Sequence, residues 1–310
     1  QRQMCIRDRD NDQDLAFVKI GFHMGVGGNA TGLGYAISEL DAAGVPVFLK
    51  SVDDAGLISD TQRLIREHGV PHTLVFRKTG NDVPDYLLSP RDAALDHWNW
   101  HVERFPPELD PSLVWLETMN EVDKLQSEWL AEVALETAQL ALDQGYRWAA
   151  FGWSTGEPEP EHWEGPKMLE FLRLAGEHPD QIAIALHEYS LEVDDITRWY
   201  PYLVGRFQHL FQICDAHGIA RPTVLVTEWG WEYEDVPGVT EAMDDIAWAS
   251  WLYAAYPQVK GAAIWYLGYG FGGIADQAQR LIAPLTEYAL THYYIVEQGQ
   301  GGVDPELFRP

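Results

Sequence analysis

The sequence predicts a single-domain (β/α)8 TIM barrel of the α/β class. Three observations carry this. Short apolar runs recur eight times, segments with helical spacing lie between them, and a Gly closes several of those segments just before the next run begins. The runs span 17–23, 45–51, 72–77, 113–118, 148–153, 182–187, 223–228 and 261–266. Each is four to eight residues long, bounded by turn residues and rich in β-branched or aromatic side chains, which is the pattern of a buried strand. Between them, 127–144 places Leu130, Val133, Thr137, Leu140 and Ala141 on one helical face, and Gly145 follows as a stop. Gly44, Gly69 and Gly218 repeat that junction, because glycine takes the left-handed conformation in which helices end. Eight strands alternating with helices is what a closed barrel requires. A doubly wound open sheet would want a Gly-rich phosphate turn after its first strand. The Gly25-Val26-Gly27-Gly28-Asn29 run lacks that spacing and reads as a flexible rim loop.

The barrel is expected over 15–297. Residues 1–14, rich in Arg, Asp and Gln, read as a disordered tail or upstream remnant with no signal-peptide character, and 298–310 as a C-terminal tail. Composition narrows the function. Asp plus Glu number 48 against 21 Lys plus Arg, a formal charge of −27, so nucleic acid and anionic membranes are unfavourable partners. No run of 18 apolar residues exists to span a bilayer. Two cysteines are too few for a disulfide framework or a Cys-rich metal site. The 13 Trp exceed what a core needs and suit a cleft that stacks on sugar rings.

Alternation along each strand assigns the faces. Lys19, Gly21 and His23 share the inward face of the first run, and Thr73, Val75 and Arg77 that of the third. Trp115 and Glu117 point inward from the fourth, with Asn120 and Glu121 at its end. The sixth contributes Ala183, Ala185, His187 and Tyr189, the seventh Val224, Val226 and Glu228, and the eighth Trp265. The polar members cluster at C-terminal strand ends, where barrel enzymes keep their active sites. So many polar groups at one mouth need each other or a ligand.

These positions resemble the clan A retaining glycoside hydrolases, the cellulase-like barrels. The likeness rests on Leu116-Glu117-Thr118-Met119-Asn120-Glu121 at the fourth run, His187-Glu188-Tyr189 at the sixth, Val226-Thr227-Glu228-Trp229-Gly230 at the seventh and Trp265 at the eighth. It departs from many members in having Val122 where they have Pro after Asn-Glu. The resemblance implies a glycosidase cleaving β-linked neutral oligo- or polysaccharides by double displacement, with no cofactor and no metal, acting as a monomer and exported by analogy. It further implies Glu121 as general acid/base and Glu228 as nucleophile, the acid held protonated near neutral pH. Asn120 would contact the sugar 2-hydroxyl, Tyr189 and Arg77 would keep Glu228 ionised, and His187 would bridge to Glu121 or substrate. Trp265 would floor the subsite of the cleaved sugar, and His23, Trp229 and Trp153 would complete the substrate contacts. Glu117 is read as an orienting group, and Asp53 and Asp54 as outer-hydroxyl ligands or a solvated loop. Trp98, Trp100, Trp163 and Trp231 lie near predicted upper loops, while Trp129, Trp148, Trp199, Trp248 and Trp251 read as core. Two other functions stay open: a carbohydrate-binding barrel without activity, and a metal-dependent hydrolase, for which His97 and His101, four apart on a helix, could meet one metal but read as an exposed helix face.

Overall fold

A computed structural model describes residues 5–7, 14–193, 195–295 and 303–309. Eight parallel strands close into a barrel: β1 Ile20–Gly25, β2 Phe48–Val52, β3 Thr73–Arg77, β4 Val114–Glu117, β5 Arg147–Trp153, β6 Ile182–Tyr189, β7 Thr223–Gly230 and β8 Val259–Ile264. Each pairs with its chain neighbour, and β8 returns to pair with β1. The helices are α1 Leu33–Ala42, α2 Gly56–His68, α3 Pro90–Val102, α4 Ser127–Gln144, α5 Pro166–Glu177, α6 Phe207–Ala216, α7 Val239–Ala254, the short α8 Ile274–Gln279 and α9 Ile282–Thr291. The α4 bounds coincide with the spacing read from sequence. Gly44, Gly69, Gly145 and Gly218 all take positive φ, at 74°, 75°, 74° and 64°.

The core has two compartments. Aliphatic and aromatic residues between strands and helices form the larger one. The barrel axis holds a smaller stack of Phe48, Val75, Trp115, Ala149, Ala183, Ala185, Leu225 and Ala263. Leu225 in that stack corrects the expected face of β7. Val224 and Val226 pack outward, and the pairing of β6 with β7 shifts between Leu186 and His187, skipping Thr227. The extra residue lets Thr227 reach the interior while Glu228, next in sequence, reaches the mouth. Strict alternation cannot anticipate such a bulge.

Two segments expected to be tails carry structure. Cys5–Arg7 pairs antiparallel with Asp14–Phe17, which pairs with Tyr293–Ile295, so the start of the first predicted run belongs to this small sheet. The remaining positions of 1–14 and 298–310 lie outside the described residues, except 303–309, where Phe308 is fully buried. Arg206, at the head of α6, ties that end down: it donates to the Phe308 carbonyl at 2.8 Å and to the Pro158 carbonyl in the β5–α5 loop. Trp148 is core as expected, but Trp251 is 61% exposed on α7. Among the described residues, no helix is long and apolar enough to cross a membrane.

One outward residue of β6 organises the helix layer. Glu188 is fully buried and accepts from the backbone amides of Gly205 and Arg206, at 3.0 and 3.1 Å, where α6 begins. Tyr253 Oη donates to it at 2.6 Å. A carboxylate suits those free amides and the positive end of the helix. Burial nevertheless dominates and raises its pKa to about 7. The folded protein therefore holds a proton there that the unfolded chain releases near the ordinary carboxylate value. This group's contribution to stability is present below that value and lost as pH rises through about 7. Melting temperatures of wild type and Glu188→Gln between pH 4 and 8 should show a shallower decline in the variant.

Candidate active site

The C-terminal strand ends gather His23 from β1, Lys50 from β2, Arg77 from β3, Glu117 from β4, His187 and Tyr189 from β6 and Glu228 from β7. Glu228 is the hub. Its Oε2 accepts from Tyr189 Oη at 2.8 Å. Its Oε1 accepts from Lys50 Nζ at 3.2 Å and lies 3.6 Å from Arg77 Nη2 and 4.0 Å from His23 Nδ1. Burial alone would raise the pKa of this carboxyl. His187, Lys50, His23 and Arg77 outweigh that effect and hold it well below the usual carboxylate range.

Glu121 stands at the opposite side of the mouth, just beyond β4. Its backbone takes φ 48°, and its amide donates to the Gly152 carbonyl at 2.7 Å, fixing the turn against β5. The side chain remains 47% exposed. Ser154 Oγ donates to its Oε1 at 3.0 Å, and His187 Nδ1 lies 3.3 Å from the same oxygen. The hydrogen bond from His187 outweighs burial and lowers the pKa of Glu121. The free protein thus holds this group ionised, contrary to the expected protonated acid.

His187 Nδ1 also lies 3.7 Å from Glu228 Oε2. One nitrogen therefore faces both carboxylates and limits their oxygens to roughly 7 Å apart, a range containing the ~5–5.5 Å of retaining glycosidases and excluding the upper part of the ~6.5–9.5 Å inverting range. Asn120 is held by its amide to the Asp82 carbonyl at 2.8 Å, and its Oδ1 is buried without a partner. Both ring nitrogens of His23 and Nε2 of His187 are likewise buried and unpaired. Such groups call for a ligand.

Two recesses meet over this floor. One, of about 410 Å3, is lined by Asn120, Glu121, Ser154, Tyr189 and Glu228. The other, of about 480 Å3, is lined by His23, Asp53, Thr79, Tyr266 and Tyr269. Arg77, Trp265 and Phe271 border both. Trp265 is partly exposed, with its peptide to Tyr266 in the cis form. Asp53 points into the second recess and is held by Lys78 Nζ at 2.7 Å and by Thr79.

Two expected sugar contacts are elsewhere. Trp153 is fully buried and stacked on Phe151 at 4.9 Å, because Phe151 adopts φ 75° and the β5–β6 pairing slips there. Trp229 is fully buried against Trp231 at 5.0 Å, turned to the helix layer opposite its neighbour Glu228. Trp98, Trp163 and Trp231 are buried as well. His97 and His101 are not an exposed face. Both are buried, and their Nε2 atoms bond the Thr118 and Asn81 carbonyls at 3.0 and 2.9 Å, bracing the loops that carry Asn120 and Asp82. Burial lowers their pKa values to about 3 and about 4. Among the described residues, no group of three or more His, Cys, Asp or Glu could hold a metal ion. Sequence reasoning missed Lys50, Ser154, Tyr233 and Phe271. Lys50 carried a signal, as a charge alternating with Phe48 inside an apolar run. It forms a fully buried ion pair with Glu117 at 2.7 Å, whose other oxygen accepts from Thr227 Oγ1 at 2.6 Å.

The protein is thus a (β/α)8 barrel with two carboxylates in unlike surroundings at its C-terminal mouth. Solved structures with a similar fold include a triple mutant of an endo-beta-1,4-glucanase from Xanthomonas axonopodis pv. citri, 13% identical, covering 88% of this chain and 99% of that chain with TM-score 0.51. A structure of XacCel5A matches over the same shares at 14% identity and TM-score 0.50. The YdjI aldolase from Escherichia coli K12 covers 88% of this chain and 91% of that chain, at 10% identity and TM-score 0.40. No family model and no curated protein matches the chain. Likeness at these identities establishes the barrel, and the chemistry is read from the site.

Lys50→Met should raise the pKa of Glu228, read by 13C NMR of glutamate-labelled protein with Glu228→Gln assigning the signal. It should also cost about 3–5 kcal/mol in chemical denaturation, because Glu117 is left buried without its cation.

Proposed function

We propose that the chain is a retaining O-glycoside hydrolase acting on β-linked neutral oligo- or polysaccharides, with Glu228 as nucleophile and Glu121 as general acid/base. One observation carries the reading: His187 Nδ1 faces a buried carboxylate surrounded by cations and a second carboxylate open to solvent. Glycoside cleavage asks for that difference. An anion must sit beneath the anomeric carbon as positive charge develops, while another group protonates the leaving oxygen. Glu228 suits the first task because Lys50, Arg77, His23 and His187 keep it ionised. Glu121 suits the second because it is within reach of solvent and of a bound leaving group. It gains its proton as the complex forms. A saccharide covering Glu121 excludes water, and the charge of Glu228 opposes a second anion, so both favour the neutral acid; glycosylation of Glu228 then removes that charge and leaves Glu121 ionised, as the base that activates water.

Asn120 Oδ1 and the free nitrogens of His23 and His187 would take sugar hydroxyls, and Trp265 would carry the ring. The net acidic charge of the chain favours neutral glycans over uronates.

A panel of defined β-linked oligosaccharides tests the reading. Turnover should fall by orders of magnitude in Glu228→Gln with the fold intact. Glu121→Ala should keep activity toward aryl glycosides with good leaving groups and recover further with azide. NMR of the first-formed sugar should show retained anomeric configuration, and inversion would refute double displacement. The alkaline limb of kcat/KM, which reports the free protein, should lie at lower pH than that of kcat. His187→Ala, which removes the cause of the lowered Glu121 pKa, should move the kcat/KM limb to higher pH.

A further inference from the structure

Phe271 stands on the ridge between the two recesses, in the loop joining β8 to α8. Its ring centroid lies 4.7 Å from that of Trp265 and 5.6 Å from those of Tyr233 and Tyr266. Those distances are ordinary aromatic contact. Phe271 therefore fills space beside Trp265 on the border the two recesses share.

The loop is built so that this ring can leave. Its two ends are fixed. Leu267 and Ile274 are buried, and the amides of Leu267 and Tyr269 donate to the carbonyls of His23 and Val26 at 2.8 and 3.1 Å. Between them, Gly270, Phe271, Gly272 and Gly273 all have positive φ, at 102°, 48°, 60° and 84°. Glycine moves among such conformations at little cost. Phe271 is a bulky residue in a sparsely populated region, which costs of order 1–3 kcal/mol where it persists. The residue is also 40% exposed, so limited burial opposes departure. A ring in an unfavourable backbone conformation, partly solvated and flanked by glycines, is poised to swing.

We propose that Phe271 is a movable divider that sets the length of saccharide the mouth accepts. Against Trp265 it keeps the recesses separate. Swung away, it joins them into one cleft running from Asp53 to Glu121. This inference rests on the glycosidase reading and gives it a length dependence.

The experiment measures kcat/KM for cello-oligosaccharides of two to five units, or the xylo or manno series of the same lengths if the panel selects it. It compares wild type, Phe271→Ala and Phe271→Trp. The ratio of the longest to the shortest substrate should rise about tenfold in the alanine variant, equivalent to about 1.4 kcal/mol, and fall in the tryptophan variant. Equal ratios in all three overturn the divider. So does a lower ratio in the alanine variant, which would make Phe271 a stacking platform. Calorimetry with the five-unit sugar in Glu228→Gln, with and without Phe271→Ala, reads the same effect without turnover: tighter binding in the double variant is expected, and equal or weaker binding overturns the proposal. A wild type that cleaves nothing, or a Glu228→Gln variant as active as wild type, instead defeats the glycosidase reading.

Discussion

A carboxylate sealed inside a parallel barrel is strongly unfavourable unless opposite charge and donors meet it there. The upper half of this molecule is organised around offsetting that penalty at Glu228. Lys50, Arg77 and His23 stand at its Oε1, and Tyr189 and His187 at its Oε2. Lys50 brings its own requirement. A lysine with no solvent contact needs more than one anion, and Glu117 supplies the second, held in turn by Thr227. The chain of need runs from the mouth down to the axial stack of Trp115, Val75 and Leu225, where polarity stops.

Two departures from regular pairing make the arrangement possible. At the β6–β7 step the skipped Thr227 lets consecutive residues serve the interior and the mouth. At the β5–β6 step the slip around Phe151 and Gly152 turns Trp153 away and offers the Gly152 carbonyl to the amide of Glu121. Gly152 sits so close to the chain at Met119 and Asn120 that a Cβ there would come within 2.8 Å of the Met119 carbonyl oxygen. The carboxylate beyond β4 is thus positioned by an irregularity in its neighbour. Bulges of this kind gather beside functional sites because they re-aim side chains that regular strands cannot.

Much of this was legible in the sequence. Apolar runs bounded by turns gave eight strands to within a few residues, since period and punctuation are local properties. The inward set of His23, Arg77, Glu117, His187, Tyr189 and Trp265 followed from alternation. The misreadings within strands share a cause. Trp153, Trp229 and Thr227 lie at or beside slips in register, where parity changes sides. His97 and His101 form a spacing that suits an exposed helix face as well as a buried one, and only the Thr118 and Asn81 carbonyls opposite them decide. Phe271 lies in a glycine run that has no period to read.

The far end of the described chain has its own bearing on the mouth. Arg206 grips the carbonyls of Phe308 and Pro158 with one guanidinium, so the 303–309 segment and the loop between β5 and α5 share a single clasp. A change in the 303–309 segment would therefore reach the loop after β5 through one buried side chain and not through a strand of the barrel.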